Sequence, residues 1–549
     1  MRSIRFALLA LLAGCADGVP TGSTPAPPPA AARAIALEPY NGRIRIGVVP
    51  SAASVAVGAT GTFEVREKTT NALLLTGSAG EQVTVTWDTV TVSITSRRLQ
   101  VTCTASTVDR DQRLANGSAA GFPAAAEFVS ASSCWRVYVG ERPLPIDTAA
   151  ERIYKDRVIA AGQATSAAFW RTATLPREVP RYITTRGTGA QVLSEHAPRV
   201  VPLSGQALIS GARYRGTAEV QQNSAGLLAG INELPMEEYL YGVVPRELGP
   251  VTYPEMEAQK AQAVAARTYA HANLGKHWNN GYDLGTTVAD QVYGGFAAEH
   301  ATSNSAVNAT AGIVATYGGA MIDALFYATS GGRTSHSEDV FSATVPYLRG
   351  VWDAPAGQEL PSTSALLADL RNPAWTGAYG GFHSMHRWSH RWTMTQMSCV
   401  IGDFADRPVG NVTAINILGR SATGRVTQIE YVTQAGTYTD SRGAIRSSLK
   451  YISSTGTPTL LPSNLFVIER LTDAAGQLTG YAAYGGGNGH GAGLAQTGAV
   501  GMARAGHTYD QILKKYYSGI VLEKKSGTRR SGTSPTTTST TDPYDCTSA

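Results

Sequence analysis

The residues of this 549-residue sequence best suited to chemistry are one glutamate, one histidine and a few amides set among glycines and prolines. Glu247 ends the run Asn232-Glu-Leu-Pro-Met-Glu-Glu-Tyr-Leu-Tyr-Gly-Val-Val-Pro-Arg-Glu247, which reads as a short helix leaving for a tight loop at Pro245. A second helix follows within a few residues, so Glu247 is expected between two helices, where partial burial can raise a carboxyl towards the range of a general acid. A solvated or helix-capping glutamate is the alternative reading. His490 stands in Gly489-His-Gly-Ala-Gly493, whose glycines allow tight turns and close approach of a ligand. The same setting also suits a structural histidine that ties down a loop. Gln496 follows where a helix could begin, its amide free to meet a polar ligand.

These groups need elements to hold them. Pro254 in a first-turn position, Glu255 and Glu257 at the positive helix end, and alanine-rich sequence to about Asn273 predict a long helix. On it Lys260, Arg267 and His271 fall close to one face, with Gln259 and Gln262 on an adjoining one; solvated ion pairing is the plainer reading for Lys260. Alternation in Arg43-Ile44-Arg45-Ile46, Phe63-Glu64-Val65 and Val83 to Trp87 predicts an N-terminal β-rich part. Residues 105 to 133, rich in Ala, Ser and Gly, read as a loop; a strand opening at Trp135 and a helix at about 147 to 162 follow. The expected fold class is α+β.

Several stretches, in order, resemble the SpoIID family and its amidase-enhancer relatives. They are Arg43 to Gly47, YLYGVVPREL at 239 to 248, AQKAQAVAARTYA at 258 to 270, Gln291-Val-Tyr-Gly294 and NSAVNATAGIVATYGG at 304 to 319. FYATSGGRT at 326 to 334, PYLRGVWD at 346 to 353, GNGHGAGLAQTGAVGMARAG at 487 to 506 and YDQILKKYYSG at 509 to 519 complete the set. The resemblance implies lytic transglycosylase action on peptidoglycan glycan strands, cutting the bond between N-acetylmuramic acid and N-acetylglucosamine, with Glu247 as the catalytic acid. A non-catalytic wall-binding role that stimulates a separate amidase is the alternative implied by the enhancer branch. Substrate contacts would come from His490, Gln496, Arg267, Tyr269, Gln291, Tyr293, Tyr327 and Ser330. For Tyr327 and Ser330, which precede Gly331-Gly332, a strand-to-turn core is nearly as good an explanation.

Some relatives place zinc ligands just before the Gln-Val-Tyr motif, but here Asp283 to Asp290 carries neither cysteine nor histidine, with His271 and His277 upstream. Neither a metal nor another cofactor is therefore expected. His383, His386 and His390 have helical metal spacing, yet Trp388 and Trp392 among arginines argue for a strand, with His386 and His390 on the tryptophan side.

The N-terminus opens with Arg2 and Arg5 before an apolar run, Phe6 to Ala13, that is too short to span a bilayer, and Leu12-Ala13-Gly14-Cys15 resembles a lipobox. This predicts an exported lipoprotein of the bacterial envelope, anchored to a membrane through lipidated Cys15. The expected layout is signal peptide 1–15, Pro-rich tether 16–41, β-rich part 42–104 and an insertion 105–182 that faintly resembles a SPOR glycan-binding module. A SpoIID catalytic domain 183–523 and a disordered Ser/Thr-rich tail 524–549 complete it. Cys103 and Cys134 flank one Ser/Ala-rich stretch and are the first candidates for a disulfide, free buried thiols being the alternative. A net charge of +5 and the lack of a basic run interleaved with aromatics argue against nucleic acid, while modest basicity suits an anionic wall polymer. The partners expected are glycan strands and a cell-wall amidase.

Overall fold

The computed structural model describes residues 41–187 and 189–524; Cys15, the expected signal peptide, nearly all of the tether and the tail lie outside the described residues. Helices and antiparallel sheets share the chain, as an α+β fold requires. In the N-terminal part, one antiparallel sheet runs Arg43–Ala52, Leu228–Pro235, Thr217–Gln222, Pro198–Pro202, Phe63–Glu67 and Leu73–Gly77. Strand Ser54–Ala59 belongs to a second sheet, and Val55, Val57, Phe63, Val65, Val200 and Val220 fill the core between the two. The alternation expected at Ile44 and Ile46 is present: both side chains are 0% exposed, and they pack against the helix Met236–Glu247.

From this body a long ribbon extends, Gln82–Thr104 paired antiparallel with Phe169–Arg186 from Val83 opposite Arg186 to Gln100 opposite Phe169. Between its two strands the chain departs from the expected loop. Residues Thr107–Ala119 form a helix capped by the Ser106 side chain, and Ala124–Val129 forms a strand. Alanine and serine were read as loop composition, but alanine is the best helix former and serine a preferred N-cap. Strand Cys134–Arg142 and helix Thr148–Ala160 follow as expected. The result is a β-α-β-β-α-β unit with its own small core of Leu99, Phe122, Val139 and Val158, and with Cys103 bonded to Cys134.

The spine of the part that follows is the helix Met256–Ala272. Pro254 sits just outside it, one residue before the cap Glu255, rather than in its first turn. Ala263, Ala266 and Ala270 face a cluster with Tyr239, Leu240 and Val243, while Ala258, Ala261 and Ala265 face Leu494, Val500 and Tyr516. Alanines let neighbours approach closely on both sides, so from Ala261 to His271 this helix is buried all round, and only its first turn keeps an outer face at Glu257 and Lys260. Beyond it, a C-terminal body builds its core on Trp392, Met397, Val426, Tyr431 and Phe466. There Trp388 and Trp392 do lie on one strand, Trp388–Thr393, with His390 between their rings. His386 ends a separate turn, Ser384–His386, that His383 caps, so the three histidines do not line one helix face.

Candidate active site

Glu247 is the last residue of the helix Met236–Glu247, not of a loop beyond it. The helix continues through Pro245 because the proline forfeits only its own N–H, and Leu248 N–H still closes on the Val244 carbonyl at 2.9 Å. The next turn is pinned from the long helix: Gln259 Nε2 donates to the carbonyls of Leu248 (2.9 Å) and Tyr253 (2.8 Å). The half-buried carboxyl therefore sits at the negative end of a helix, where a negative charge is disfavoured. Its Oε1 accepts the Val292 N–H at 2.6 Å. Burial pushes the Glu247 pKa upward, and the donors from Val292 and Gln496 pull the other way without cancelling it.

Gln496 opens the helix Gln496–Arg504, as its position in the sequence suggests. Its Nε2 donates to the Glu247 carbonyl at 3.0 Å and lies 3.3 Å from Gln262 Oε1. Gln262 keeps its own Nε2 without a partner among the described residues, a buried donor beside the candidate acid. Glu247, Gln496, Gln262 and the Val292 amide thus come together from three distant stretches of chain.

The other residues singled out from the sequence occupy different positions. Gln291 is 0% exposed, accepting from Tyr239 O–H (3.1 Å) and donating to the Ala266 carbonyl (3.2 Å). Tyr293 donates to Asn232 Oδ1 at 2.8 Å. These two brace the strand of chain that presents Val292. Arg267, also 0% exposed, is held by Glu237 and by the carbonyls of Ile313 and Val307. Tyr269 meets Lys276 Nζ at 3.3 Å, and Lys260 pairs with Glu257 at 2.7 Å as the plainer reading had it.

Around His490 the glycines are required. Gly489 (φ +112°) would drive a Cβ to 2.6 Å from Tyr327, and Gly491 (φ +91°) to 2.4 Å from the Arg425 guanidinium. His490 Nε2 donates to the Phe326 carbonyl at 3.0 Å, and Nδ1 accepts the Ala492 N–H at 3.2 Å, so both ring nitrogens are committed to backbone. Enclosure by protein and the nearby Arg446 and Arg425 hold its pKa down to about 4. The Tyr327 ring lies tilted against this imidazole, centroids 5.2 Å apart, and leaves its buried hydroxyl without a partner among the described residues. Ser330, 0% exposed, donates to Asp353 Oδ2 at 2.5 Å, and Tyr516 donates to Asp353 Oδ1 at 2.6 Å.

The stretch where relatives would carry zinc ligands holds an ion-pair cluster instead: Asp290 Oδ1 meets Lys276 Nζ at 2.6 Å and Oδ2 meets His277 Nε2 at 2.8 Å. With an ammonium already on Asp290 and no thiolate nearby, this donor set does not fit zinc. Among the described residues no three His, Cys, Asp or Glu side chains converge on a common point, and no helix is long and apolar enough to cross a membrane. Sequence reasoning missed the Val292 amide and the Asp290 cluster. A backbone N–H has no residue signature, and an aspartate beside no cysteine or histidine in sequence gives no sign of partners 13 and 14 residues away.

Comparison with known proteins bears on the same segment. A family model described as Stage II sporulation protein matches residues 224–317, which contain Glu247, the long helix and the Val292 stretch. A second, described as a domain of unknown function, matches residues 336–493. The chain is 35% identical over 292 residues to an uncharacterized protein of Brachyspira hyodysenteriae, covering 53% of this chain and 67% of that protein. It is 29% identical over 299 residues to the amidase enhancer of Bacillus subtilis, covering 52% of this chain but 40% of that one. With the stage II sporulation protein D of the same organism it shares 27% over 313 residues, 54% of this chain and 76% of the relative.

Proposed function

Because this chain belongs to the SpoIID family, a family tied to the cell wall, we propose that it is a peptidoglycan lytic transglycosylase with Glu247 as its single catalytic acid and base. The observation that carries this reading is a half-buried carboxyl with a raised pKa, held by one backbone N–H and flanked by the amides of Gln496 and Gln262. In its protonated form Glu247 donates to the glycosidic oxygen as an oxocarbenium-like centre develops at C1 of the muramic acid. The resulting carboxylate takes the proton of the sugar's own C6 hydroxyl, whose oxygen closes on C1 to give a 1,6-anhydro ring. A hydrolase would need a second carboxyl to activate water. Asp290 is a poor candidate for that role, since both its oxygens are already engaged, Oδ1 by Lys276 and Oδ2 by His277 and the Gly285 N–H. The unpartnered Nε2 of Gln262 supports ligand binding beside the acid.

Denuded glycan strands incubated with the purified protein should release 1,6-anhydromuramic products by mass spectrometry, and Glu247→Gln should release far less while remaining folded. Equal product from both proteins would remove Glu247 from the reaction. The relative named amidase enhancer favours a second reading, a wall-binding partner that stimulates an amidase. Under that reading sacculi are digested only when the amidase is added. An envelope location follows from either reading. Lipidation at Cys15 is part of the proposal, and an unmodified Cys15 in the mature protein by mass spectrometry would end it. The β-α-β-β-α-β insertion is proposed as a SPOR-like wall-binding unit, which sacculus pull-down of a protein lacking residues 105–168 would test.

A further inference from the structure

Each residue of the short stretch from Asp290 to Gly294 is tied to another part of the fold, three of them to the helix Met236–Glu247. Asp290 is bound to Lys276 and His277, and its Oδ2 also accepts the Gly285 N–H at 2.7 Å. Gln291 joins the short and long helices through Tyr239 and Ala266. Val292 N–H reaches Glu247. Tyr293 reaches Asn232, and Gly294 N–H donates to the Gly242 carbonyl at 3.0 Å. Three of these ties are neutral hydrogen bonds between groups that remain buried with any neighbours. The Asp290 tie is different in kind: a carboxylate whose side chain is 2% exposed binds an ammonium and an imidazole from the turn that follows the long helix. Lys276 also reaches Tyr269 O–H (3.3 Å) and the Ala289 carbonyl (3.0 Å). The same loop is anchored at its other end by Asp283, which accepts from Arg45 N–H (3.0 Å) and Gly275 N–H (2.9 Å).

Most charged residues of a protein are solvated, and burying one is costly unless good partners surround it. A buried aspartate held by a partly exposed lysine and histidine, two residues from the donor that holds the candidate acid, is placed to fix that donor. We infer that Asp290, with Lys276 and His277, is a positioning cluster: it locks the loop so that Val292 N–H holds the Glu247 carboxyl in one orientation, without itself touching substrate. This rests on the reading of Glu247 as the acid, and general acid catalysis is sensitive to such placement, since a displacement of about 1 Å can cost about 100-fold in rate.

The test uses the full-length protein with selectively 15N-labelled valine, in three variants: Asp290→Asn, Lys276→Met and Lys276→Arg. Two quantities are read, hydrogen exchange at the Val292 amide and kcat and KM on denuded glycan. We expect Asp290→Asn and Lys276→Met to accelerate Val292 exchange while other valine amides keep their protection, and to lower kcat about 10- to 100-fold with KM little changed. Lys276→Arg, which keeps the charge, should retain both. A cluster that only stabilised the fold would accelerate exchange at all valines together, and that result, or unchanged Val292 protection and kcat in Asp290→Asn, overturns the inference. If Asp290→Asn does not fold, the pair at Lys276, a side chain 27% exposed, decides alone. Should the wild-type protein release no product, the lytic reading falls, while the exchange data still decide whether the cluster holds Val292.

Discussion

Glu247 and Asp353 both have their pKa raised by burial, and they do opposite things. Glu247 lies half-open at the end of a helix, with one N–H on its carboxyl. Asp353 is 0% exposed, with the hydroxyls of Ser330 and Tyr516 on its two oxygens. A raised pKa is therefore no mark of an acid catalyst by itself: access and unsatisfied neighbours distinguish the site from the core. The comparison breaks most sharply on substitution of each by its amide. Glu247→Gln should lower product release by about 100- to 10,000-fold, the range supplied by a general acid–base group, whereas Asp353→Asn should leave turnover per folded molecule near wild type.

Stability should move the other way. With its folded pKa above the unfolded one, Glu247 favours folding fully below the unfolded value, and that benefit is lost as pH rises through the folded value. At neutral pH its ionisation is a net cost, so Glu247→Gln should melt at an equal or higher temperature at pH 7, and the gain should vanish near pH 4. Asp353→Ala instead strands two buried hydroxyls, at about 1–3 kcal/mol for each one left unsatisfied. Chemical denaturation should show that loss. If Asp353→Ala were neutral and Glu247→Gln destabilising, the assignment of one as core and the other as site would be reversed.

The same contrast explains what the sequence disclosed. The long helix, the first strand and the start of the helix at Gln496 follow from local pattern, because alanine periodicity and strand alternation are properties of neighbouring residues. Glu247 was legible through its setting between two helices and through the family pattern, although the helix ran two residues past Pro245. The Asp353 network joins residues 330, 353 and 516, and the partner of Glu247 is a main-chain amide. Neither leaves a trace in spacing or residue type. Residues 105–133 misled because alanine and serine serve loops and helix starts alike.

Buried bases mirror the buried acids. Burial holds His490 down to about 4 and His386 down to about 3. Both are neutral in the folded chain at pH 6, while an unfolded histidine protonates near 6.5. A depressed folded pKa means that the stability is present above the unfolded value and is lost as pH falls through the folded value. For His490 the loss amounts to at most about 3 kcal/mol by pH 4, at about 1.4 kcal/mol per unit. Melting temperature should fall between pH 6.5 and 4, and His490→Asn should flatten part of that slope. A slope unchanged by the substitution would show that the imidazole titrates freely and that its two backbone bonds do not hold in solution.

The smallest effect is expected at Lys260, which lies on the long helix two residues before Gln262 and so tests whether surface charge near the site matters. Its pair with Glu257 is 2.7 Å long but joins side chains 23% and 29% exposed. Such pairs contribute about 0–1 kcal/mol. Glu257 also accepts the Tyr509 N–H at 2.8 Å, so it keeps a donor when the lysine is removed. Lys260→Ala should thus leave the denaturation midpoint within about 1 kcal/mol of wild type and the yield of anhydro product unchanged. A marked fall in product at unchanged stability would place the lysine on the glycan path and extend the site along the outer face of the helix, away from the buried glutamines.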